Sequence, residues 1–182
     1  VNSYATGTGD NFNSLLIADN GDAIVALDDR GAQTMFSAVR IDSSGEIVWA
    51  STWDETNAGD NNNTYTVSLV GDQVFVGGRI AFAPFDTQFG EGFVLALDAA
   101  TGDYDWSAFY YGGKGTEEIA EHRVKGIEVL SDGTMVVLSQ GYTGPNNHEH
   151  FWGMWYQSND FTLELPGGDG SERLVDRVME PT

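Results

Sequence analysis

Short apolar runs separated by turn residues recur along the chain, and this pattern predicts an all-β protein. Four of the runs are almost continuously apolar: AIVAL, QVFV, FVLAL and TMVVL. Strands buried on both faces have such continuous runs, whereas strands of a two-layer sandwich alternate between apolar and polar positions. Only residues 117–129 have a mixed pattern, for which we favour a loop followed by a strand. We therefore expect sheets stacked in more than two layers.

The apolar runs pair into hairpins that repeat about every 57 residues. Three stretches each consist of a strand, a polar turn and a second strand: Phe36–Trp53, Phe93–Tyr110 and Phe151–Leu165. At one position in these turns, 57 residues apart each time, stand Gly45, Gly102 and Asn159. Gly and Asn tolerate the positive φ angles of tight turns. We expect Ile47, Trp49, Ser51 and Trp53 to share one face after the first turn.

Another hairpin precedes each of these, so each repeat unit has four short strands. Such units, packed face to face around an axis, are the blades of a β-propeller. The sequence predicts one domain over 1–182, a partial β-propeller of about three four-stranded antiparallel blades plus the start of a fourth. The units span about 13–57, 64–113 and 122–166, and a further unit starts within 172–182. A β-sandwich, a β-helix or another all-β array is the alternative.

The number of units is too small for a closed propeller. Closed propellers typically have about four to eight blades. An open arc of three blades exposes apolar sheet faces, which favours association or aggregation. We therefore expect the remaining blades to come from further chain, from another polypeptide or from copies of this chain.

Charge excludes several functions. The chain has 8 basic and 28 acidic residues, a formal net charge of −20 and a pI of about 4.1. Nothing in it neutralises a run of phosphates, which argues against nucleic acid and anionic membrane surfaces. It has no cysteine, and no apolar run is long enough to span a bilayer. We expect a secreted protein, extracellular or in a periplasm or cell envelope.

The repeat resembles that of a known superfamily. Residues Ala96–Trp106 read ALDAATGDYDW, which resembles the A-x-D-x-x-T-G-x-x-x-W pattern of the quinoprotein, tryptophan-docking propellers. Residues Ile41–Trp49 are similar but one residue shorter in the turn, and they also resemble the bacterial seven-bladed propeller repeat. The third unit departs from the pattern, because Asn159 replaces the turn Gly and Leu163 stands at the Trp position.

The resemblance implies structural roles for the repeat residues. In such families the tryptophan packs between blades, which implies this role for Trp49 and Trp106. The turn residues Gly45, Asp98 and Gly102 are structural by the same comparison. Quinoprotein dehydrogenases bind a quinone and calcium on the propeller axis. No Asp or Glu here stands in a recognisable catalytic context, so the sequence assigns no catalytic or cofactor-binding residue.

Two groups of polar residues suggest metal ligands. Residues i and i+2 of a strand point to the same side, so His148 and His150 together suit Zn²⁺ or Cu²⁺; an exposed polar loop is the alternative. Asp54, Asp60 and Asn62 offer the oxygen ligands that Ca²⁺ prefers. Asp and Asn are also ordinary turn residues, and the spacing does not match a dedicated calcium loop.

These observations favour a non-catalytic scaffold or protein-interaction module. Its partners are further blades or other proteins, and homo-oligomerisation is one form of such association. The alternatives are a fragment of a quinone-dependent propeller enzyme and a glycan- or calcium-binding module.

Overall fold

A computed structural model describes residues 11–30, 34–53, 63–80, 91–111, 119–131, 133–143, 148–156 and 173–175. All secondary structure in these ranges is β-strand, which confirms the all-β prediction. The strands are β1 (Asn11–Ile17), β2 (Ala23–Arg30), β3 (Thr34–Ile41), β4 (Ile47–Trp53), β5 (Asn63–Val70), β6 (Gln73–Ile80), β7 (Glu91–Asp98), β8 (Tyr104–Tyr111), β9 (Ile119–Val129), β10 (Met135–Thr143), β11 (His148–Tyr156) and β12 (Arg173–Val175). Within these ranges no helix is long and apolar enough to cross a membrane.

The strands form three open antiparallel sheets in which, apart from β12, neighbouring strands follow one another along the chain. The first sheet has the order β1-β2-β3-β4, the second β12-β8-β7-β6-β5 and the third β11-β10-β9. Positive-φ glycines close the tight turns, among them Gly21, Gly71 and Gly133. The segment that the sequence assigns to a further unit contributes β12, which pairs with β8 as a fifth strand of the second sheet.

The second sheet lies between the other two, and alternate residues of its central strands pack in opposite directions. Phe93, Leu95 and Leu97 of β7 belong to a core shared with the first sheet. Val94 and Ala96 belong to a core shared with the third sheet. Removing a Leu or Phe side chain from water contributes about 1.5–3 kcal/mol each, so this double burial dominates the stability. It also explains two of the continuously apolar runs in the sequence, QVFV and FVLAL, which lie in β6 and β7.

Residues at equivalent positions of β3 and β7 are 56 apart in the chain, one fewer than the 57-residue spacing of the turn residues. Ala38 and Leu95 are 57 positions apart, yet Ala38 faces the following sheet and Leu95 faces the preceding one. Before the turn the equivalent positions are 56 apart, because the first turn is one residue shorter. A shift of one residue moves a strand's side chains to the opposite face. A repeat spacing taken from the turns therefore assigns the wrong face to this strand.

Candidate functional site

The first and second sheets are joined where Trp49 contacts a turn of the next unit. Trp49, on β4, is 7% exposed, and its Nε1–H donates to the carbonyl of Ala99 at 2.9 Å. A Cβ on Gly102 would lie 2.7 Å from the indole Cδ2, so only glycine permits this approach. Ser51 Oγ donates to the Gly102 carbonyl at 2.7 Å. The fourth strand of one unit thus docks on the turn between β7 and β8.

Arg40 reinforces the same junction. Its Nη1 donates to the Ala99 carbonyl at 2.5 Å, and its Nε and Nη2 donate to Asp22 Oδ2 at 2.8 and 2.6 Å. The hydrogen bond from Arg40 is the main reason that the pKa of Asp22 is lowered. The Ala99 N–H donates to the Asp72 carbonyl at 2.7 Å. The Ala99 peptide is therefore held on both sides, which fixes the acceptor for Trp49.

The outer turns of the first and second units are each folded around an aspartate. Asp98 Oδ1 accepts hydrogen bonds from the backbone N–H groups of Ala100 and Thr101 at 2.9 and 2.8 Å. Asp42 Oδ1 accepts from the N–H groups of Ser44 and Glu46 at 2.8 and 3.0 Å. Hydrogen bonds stabilise the ionised carboxylates. The pKa of Asp98 is lowered mainly by Thr101, and that of Asp42 mainly by the Ser44 hydroxyl.

The equivalent turn of the first unit differs from that of the second in the space beside its glycine. Gly45 and Gly102 share a left-handed backbone, with φ of 90° and 75°. A Cβ on Gly102 would meet Trp49 and Ser51, whereas a Cβ on Gly45 would meet nothing within 4 Å. Glycine is therefore required at position 45 by its positive φ, and at position 102 by both its positive φ and the close approach of Trp49.

The face of the first sheet that continues from this turn is apolar and exposed. We call it the outer face of the first sheet; its residues include Leu15, Ile17, Ile47 and Val48, which are 63%, 61%, 45% and 47% exposed. Leu16, which lies between Leu15 and Ile17 on β1, instead packs on the core shared with the second sheet. These residues lie on the two edge strands of the sheet, whereas Val39 of β3, between them on the same face, is buried. Exposed large apolar side chains are typical of interaction surfaces.

The expectation that Ile47 shares a face with Trp49 is wrong. Arg40 pairs with Trp49 and Ile41 pairs with Ile47, so Val48 is an extra residue in a bulge of β4. The bulge turns Ile47 away from the inter-sheet core, where Trp53 is buried with Trp49. Ile47 and Val48 thus enlarge the outer face.

A second feature is a row of bulges in the first strands of the three units. The pairing register of each first strand shifts by one residue, at Asn13 in β1, at Tyr65 in β5 and at Lys125 in β9, and β9 has a second shift at Ala120. Bulges re-aim side chains and are frequent beside functional sites. We call Asn13, Tyr65 and Lys125, together with Asp28, Asn63, Thr64 and Arg123, the polar row.

Continuous contacts connect the polar row across all three sheets. Asp28, fully buried, accepts hydrogen bonds from the Asn13 and Asn63 side-chain amides and from both the N–H and the hydroxyl of Thr64. Tyr65 Oη donates to Asn63 Oδ1 at 3.3 Å. Lys125 Nζ lies 3.3 Å from the centre of the Tyr65 ring, and Arg123 Cζ lies 5.9 Å from it.

Sequence reasoning did not find the polar row. Its residues are dispersed along the chain, and a bulge leaves no periodic signal in a single sequence. The one local signal is the glycine pair of β6, opposite the Tyr65 bulge. A Cβ on Gly77 would lie 2.6 Å from Val124, and one on Gly78 would lie 2.1 Å from the Asn63 carbonyl. These glycines permit close approach of the strands at this level.

The proposed metal ligands are only partly within the described ranges. Asp54, Asp60 and Asn62 lie outside them, although the next residue, Asn63, belongs to the polar row. His148 and His150 lie in β11, opposite Thr143 and Gly141, and their side chains lie outside the description. Among the side chains that the structure describes, no three His, Cys, Asp or Glu residues converge as a metal site.

Trp106 lies between the second and third sheets. It packs against the core that contains Val124 and Val137, with its ring 6.0 Å from that of Phe75 and tilted by 52°. The third-unit turn, which corresponds to the one that receives Trp49, lies outside the described ranges.

No protein-family model, no curated protein and no solved structure matches this chain.

Proposed function

We propose that this protein is a non-catalytic scaffold of propeller-type blades that binds further β-sheet units through the outer face of its first sheet. The observation that carries the proposal is the exposure of Leu15, Ile17, Ile47 and Val48 on a sheet whose opposite face is fully packed. Both faces of the second sheet are buried against the neighbouring sheets. The outer face of the first sheet has no neighbour among the described residues.

The arrangement of the first strands supports a radial rather than a flat stack. β1 contacts β5, and β5 contacts β9. The Val67 N–H donates to Ser14 Oγ at 3.1 Å, which ties β5 to β1. The fourth strands of these two sheets, β4 and β8, do not contact each other extensively. Sheets that converge at their first strands and diverge at their fourth strands are typical of blades around an axis.

Association through this face follows from ordinary hydrophobic energetics. Burial of apolar surface contributes roughly 25 cal/mol per Å², and stable interfaces bury about 1,600 Å² in total. The net charge of −20 keeps the chain soluble and opposes non-specific contacts. An apolar face on a strongly acidic molecule therefore favours a complementary partner over random aggregation.

Light scattering coupled to size exclusion tests the proposal. We expect a mass above the 19.7 kDa of one chain, and we expect Leu15→Glu to reduce it to one chain. Ala100→Glu, at an exposed turn position away from the outer face, is the matched control and is expected to leave the mass unchanged. A monodisperse wild-type monomer with one cooperative melting transition would refute the proposed function.

The polar row favours a second candidate function, binding of a polar ligand such as a glycan. An aromatic ring, amides and two cations converge there from three sheets. Calorimetric titration with neutral and uronic oligosaccharides tests it. Saturable binding that Tyr65→Ala abolishes supports this function, and the absence of saturable binding from the whole panel excludes it for these glycans.

A further inference from the structure

We propose that Asn20 is a site of covalent self-modification by deamidation, that the folded turn between β1 and β2 slows this reaction, and that the modification loosens the junction between the first and second sheets. The chain has one Asn-Gly pair, Asn20-Gly21, which lies at the tip of this turn. Both residues are exposed, so water and hydroxide reach them. Exposed turn tips are also the places where local opening costs least.

The reaction requires only the chain and water. The Gly21 backbone nitrogen gives its proton to hydroxide and attacks Cγ of Asn20. The new N–Cγ bond closes a succinimide ring, and the Cγ–Nδ2 bond breaks as ammonia leaves with a proton from water. Water then adds to either imide carbonyl and opens the ring to aspartate or isoaspartate. Glycine favours the attack, because it has no Cβ to shield the nitrogen or to restrict the backbone rotation.

The folded turn opposes the attack at both reacting groups. The Gly21 N–H donates to the Ala18 carbonyl at 2.9 Å, so the nitrogen that must lose its proton is engaged in the turn. Asn20 Nδ2 donates to Asp22 Oδ2 at 3.0 Å, and Asn20 Oδ1 accepts from the Asp22 N–H at 3.1 Å. Rotation of Cγ toward Gly21 therefore breaks these hydrogen bonds, and the turn has to open before the ring closes.

The carboxylate that holds Asn20 also belongs to the junction between the sheets. Asp22, which is 7% exposed, accepts hydrogen bonds at Oδ2 from Arg40 Nε and Nη2 at 2.8 and 2.6 Å. Arg40 also donates to the Ala99 carbonyl, which accepts the indole N–H of Trp49 as well. Hydrogen bonds thus run without a gap from the Asn20 amide to the second sheet. The junction holds Asp22 in place, and Asp22 holds the amide.

Deamidation reverses the role of one atom in this chain of contacts. Nδ2 of Asn20, a donor to Asp22, is replaced by a carboxylate oxygen, which has no hydrogen to donate and repels the Asp22 carboxylate. Isoaspartate also places Cβ in the main chain, which lengthens a turn whose geometry depends on its length. Both products are expected to weaken the hold of Asp22 on Arg40. The junction thus protects Asn20, and modification of Asn20 weakens the junction.

Peptide mass spectrometry after incubation in isotopically labelled water at mildly alkaline pH tests the protection. We expect label at position 20 in the urea-unfolded chain and slower labelling in the folded chain. Arg40→Ala releases Asp22 and is expected to raise the folded-state rate roughly fivefold, the factor that corresponds to one hydrogen bond of about 1 kcal/mol. If circular dichroism shows that this variant does not fold, Arg40→Lys replaces it.

Ser51→Ala is the matched control for this rate. It removes the hydrogen bond between Ser51 and the Gly102 carbonyl at the same junction and leaves every contact of Asp22 in place. Its rate of labelling at position 20 is expected to equal that of the wild type, because the turn between β1 and β2 is unchanged.

A second measurement tests the effect of the modification. Modified and unmodified chains are separable by ion exchange, because deamidation adds a negative charge. We expect a lower urea midpoint for the modified chain and for Asn20→Asp. Ser131→Asp adds the same charge at an exposed turn position of the third sheet and is the control, expected to lower the midpoint less.

Three results would overturn this proposal. Labelling that is absent in urea, or as fast in the folded chain as in urea, would show that the turn does not protect a reactive Asn20. Equal acceleration by Arg40→Ala and Ser51→Ala would assign the reaction to unfolding of the whole chain. A modified chain as stable as the unmodified one would show that the junction does not depend on Asn20. Association through the outer face of the first sheet is tested separately by light scattering.

Discussion

The indole N–H of Trp49 and the carbonyl of Ala99, fifty residues apart in the chain, form a 2.9 Å hydrogen bond between two sheets. The Ala99 carbonyl also accepts a hydrogen bond from Arg40. One peptide group thus receives two donors from the preceding unit. This junction sets the direction in which the first two units stack.

Replacing Trp49 separates the hydrogen bond from the packing. Trp49→Phe removes the N–H donor and is expected to cost about 1 kcal/mol. Trp49→Ala also leaves a cavity in the inter-sheet core and is expected to cost about 3–5 kcal/mol. Urea unfolding measures both values. Ser131→Ala, at an exposed turn position of the third sheet, serves as control and is expected to change stability by less than about 0.5 kcal/mol. Equal costs for the two Trp49 variants would contradict a distinct hydrogen-bond contribution.

The two turn glycines form a matched pair. Gly45→Ala and Gly102→Ala both place a Cβ on a left-handed backbone, which costs roughly 1–2 kcal/mol. Only Gly102→Ala also drives a Cβ into Trp49 and Ser51. We expect Gly102→Ala to be the more destabilising by at least about 1 kcal/mol, as for other overpacked sites. Thermal and urea unfolding of the two variants give the comparison, and equal losses would show that Trp49 does not dock closely on this turn.

The buried carboxylate of Asp28 holds the start of β5 against the first sheet. Asp28→Asn replaces one acceptor oxygen with a donor amide that faces the donors of Asn13, Asn63 and Thr64. Buried polar groups left without partners cost about 1–3 kcal/mol each, so a loss of roughly 2–4 kcal/mol is expected by urea unfolding. The exposed Asp72→Asn is the control and is expected to change little. A loss at position 28 no larger than the control would contradict this role.

Acid is expected to destabilise the folded chain through Asp22, Asp42 and Asp98. The pKa of each is lowered below the ordinary 3.8, so the unfolded chain binds protons more readily than the folded one. Their contribution is complete above that value and is lost as pH falls through the folded pKa.

The Asp22→Asn variant isolates one of these contributions. The general loss of negative charge on acidification also changes stability, so the informative quantity is the difference between wild type and variant. We expect this difference, measured by urea midpoints between neutral pH and about pH 3, to narrow as pH falls. A difference that widens toward acid would have the wrong sign for a lowered pKa.

The two lysines of the chain allow a test of the polar row. Lys125→Met removes the cation over the Tyr65 ring and is expected to cost about 0.5–1 kcal/mol. Lys114→Met removes the same charge elsewhere and is the control. Unfolding free energies that are lowered equally by both variants would assign the effect to net charge instead of to the ring contact.

Sequence patterns alone predict the strand content, the turns that the structure describes and the burial of β6 and β7 on both faces. These features are local, because apolar runs, Asp-capped turns and glycines act over a few residues. Gly45 and Gly102, for instance, occupy the positive-φ positions that their turn context predicts. The metal-ligand predictions for Asp54, Asp60, Asn62, His148 and His150 stay predictions.

The face that each residue occupies and the contacts between distant residues follow only from the stacking of the sheets. One residue fewer in the first turn places Ala38 and Leu95 on opposite faces, and a bulge at Val48 moves Ile47 outward. Bulges also bring Tyr65 and Lys125 together from different sheets. Such shifts arise because the side-chain period of a strand is two, so a single inserted residue reverses every face that follows. The partner of Trp49 likewise depended on how two sheets stack.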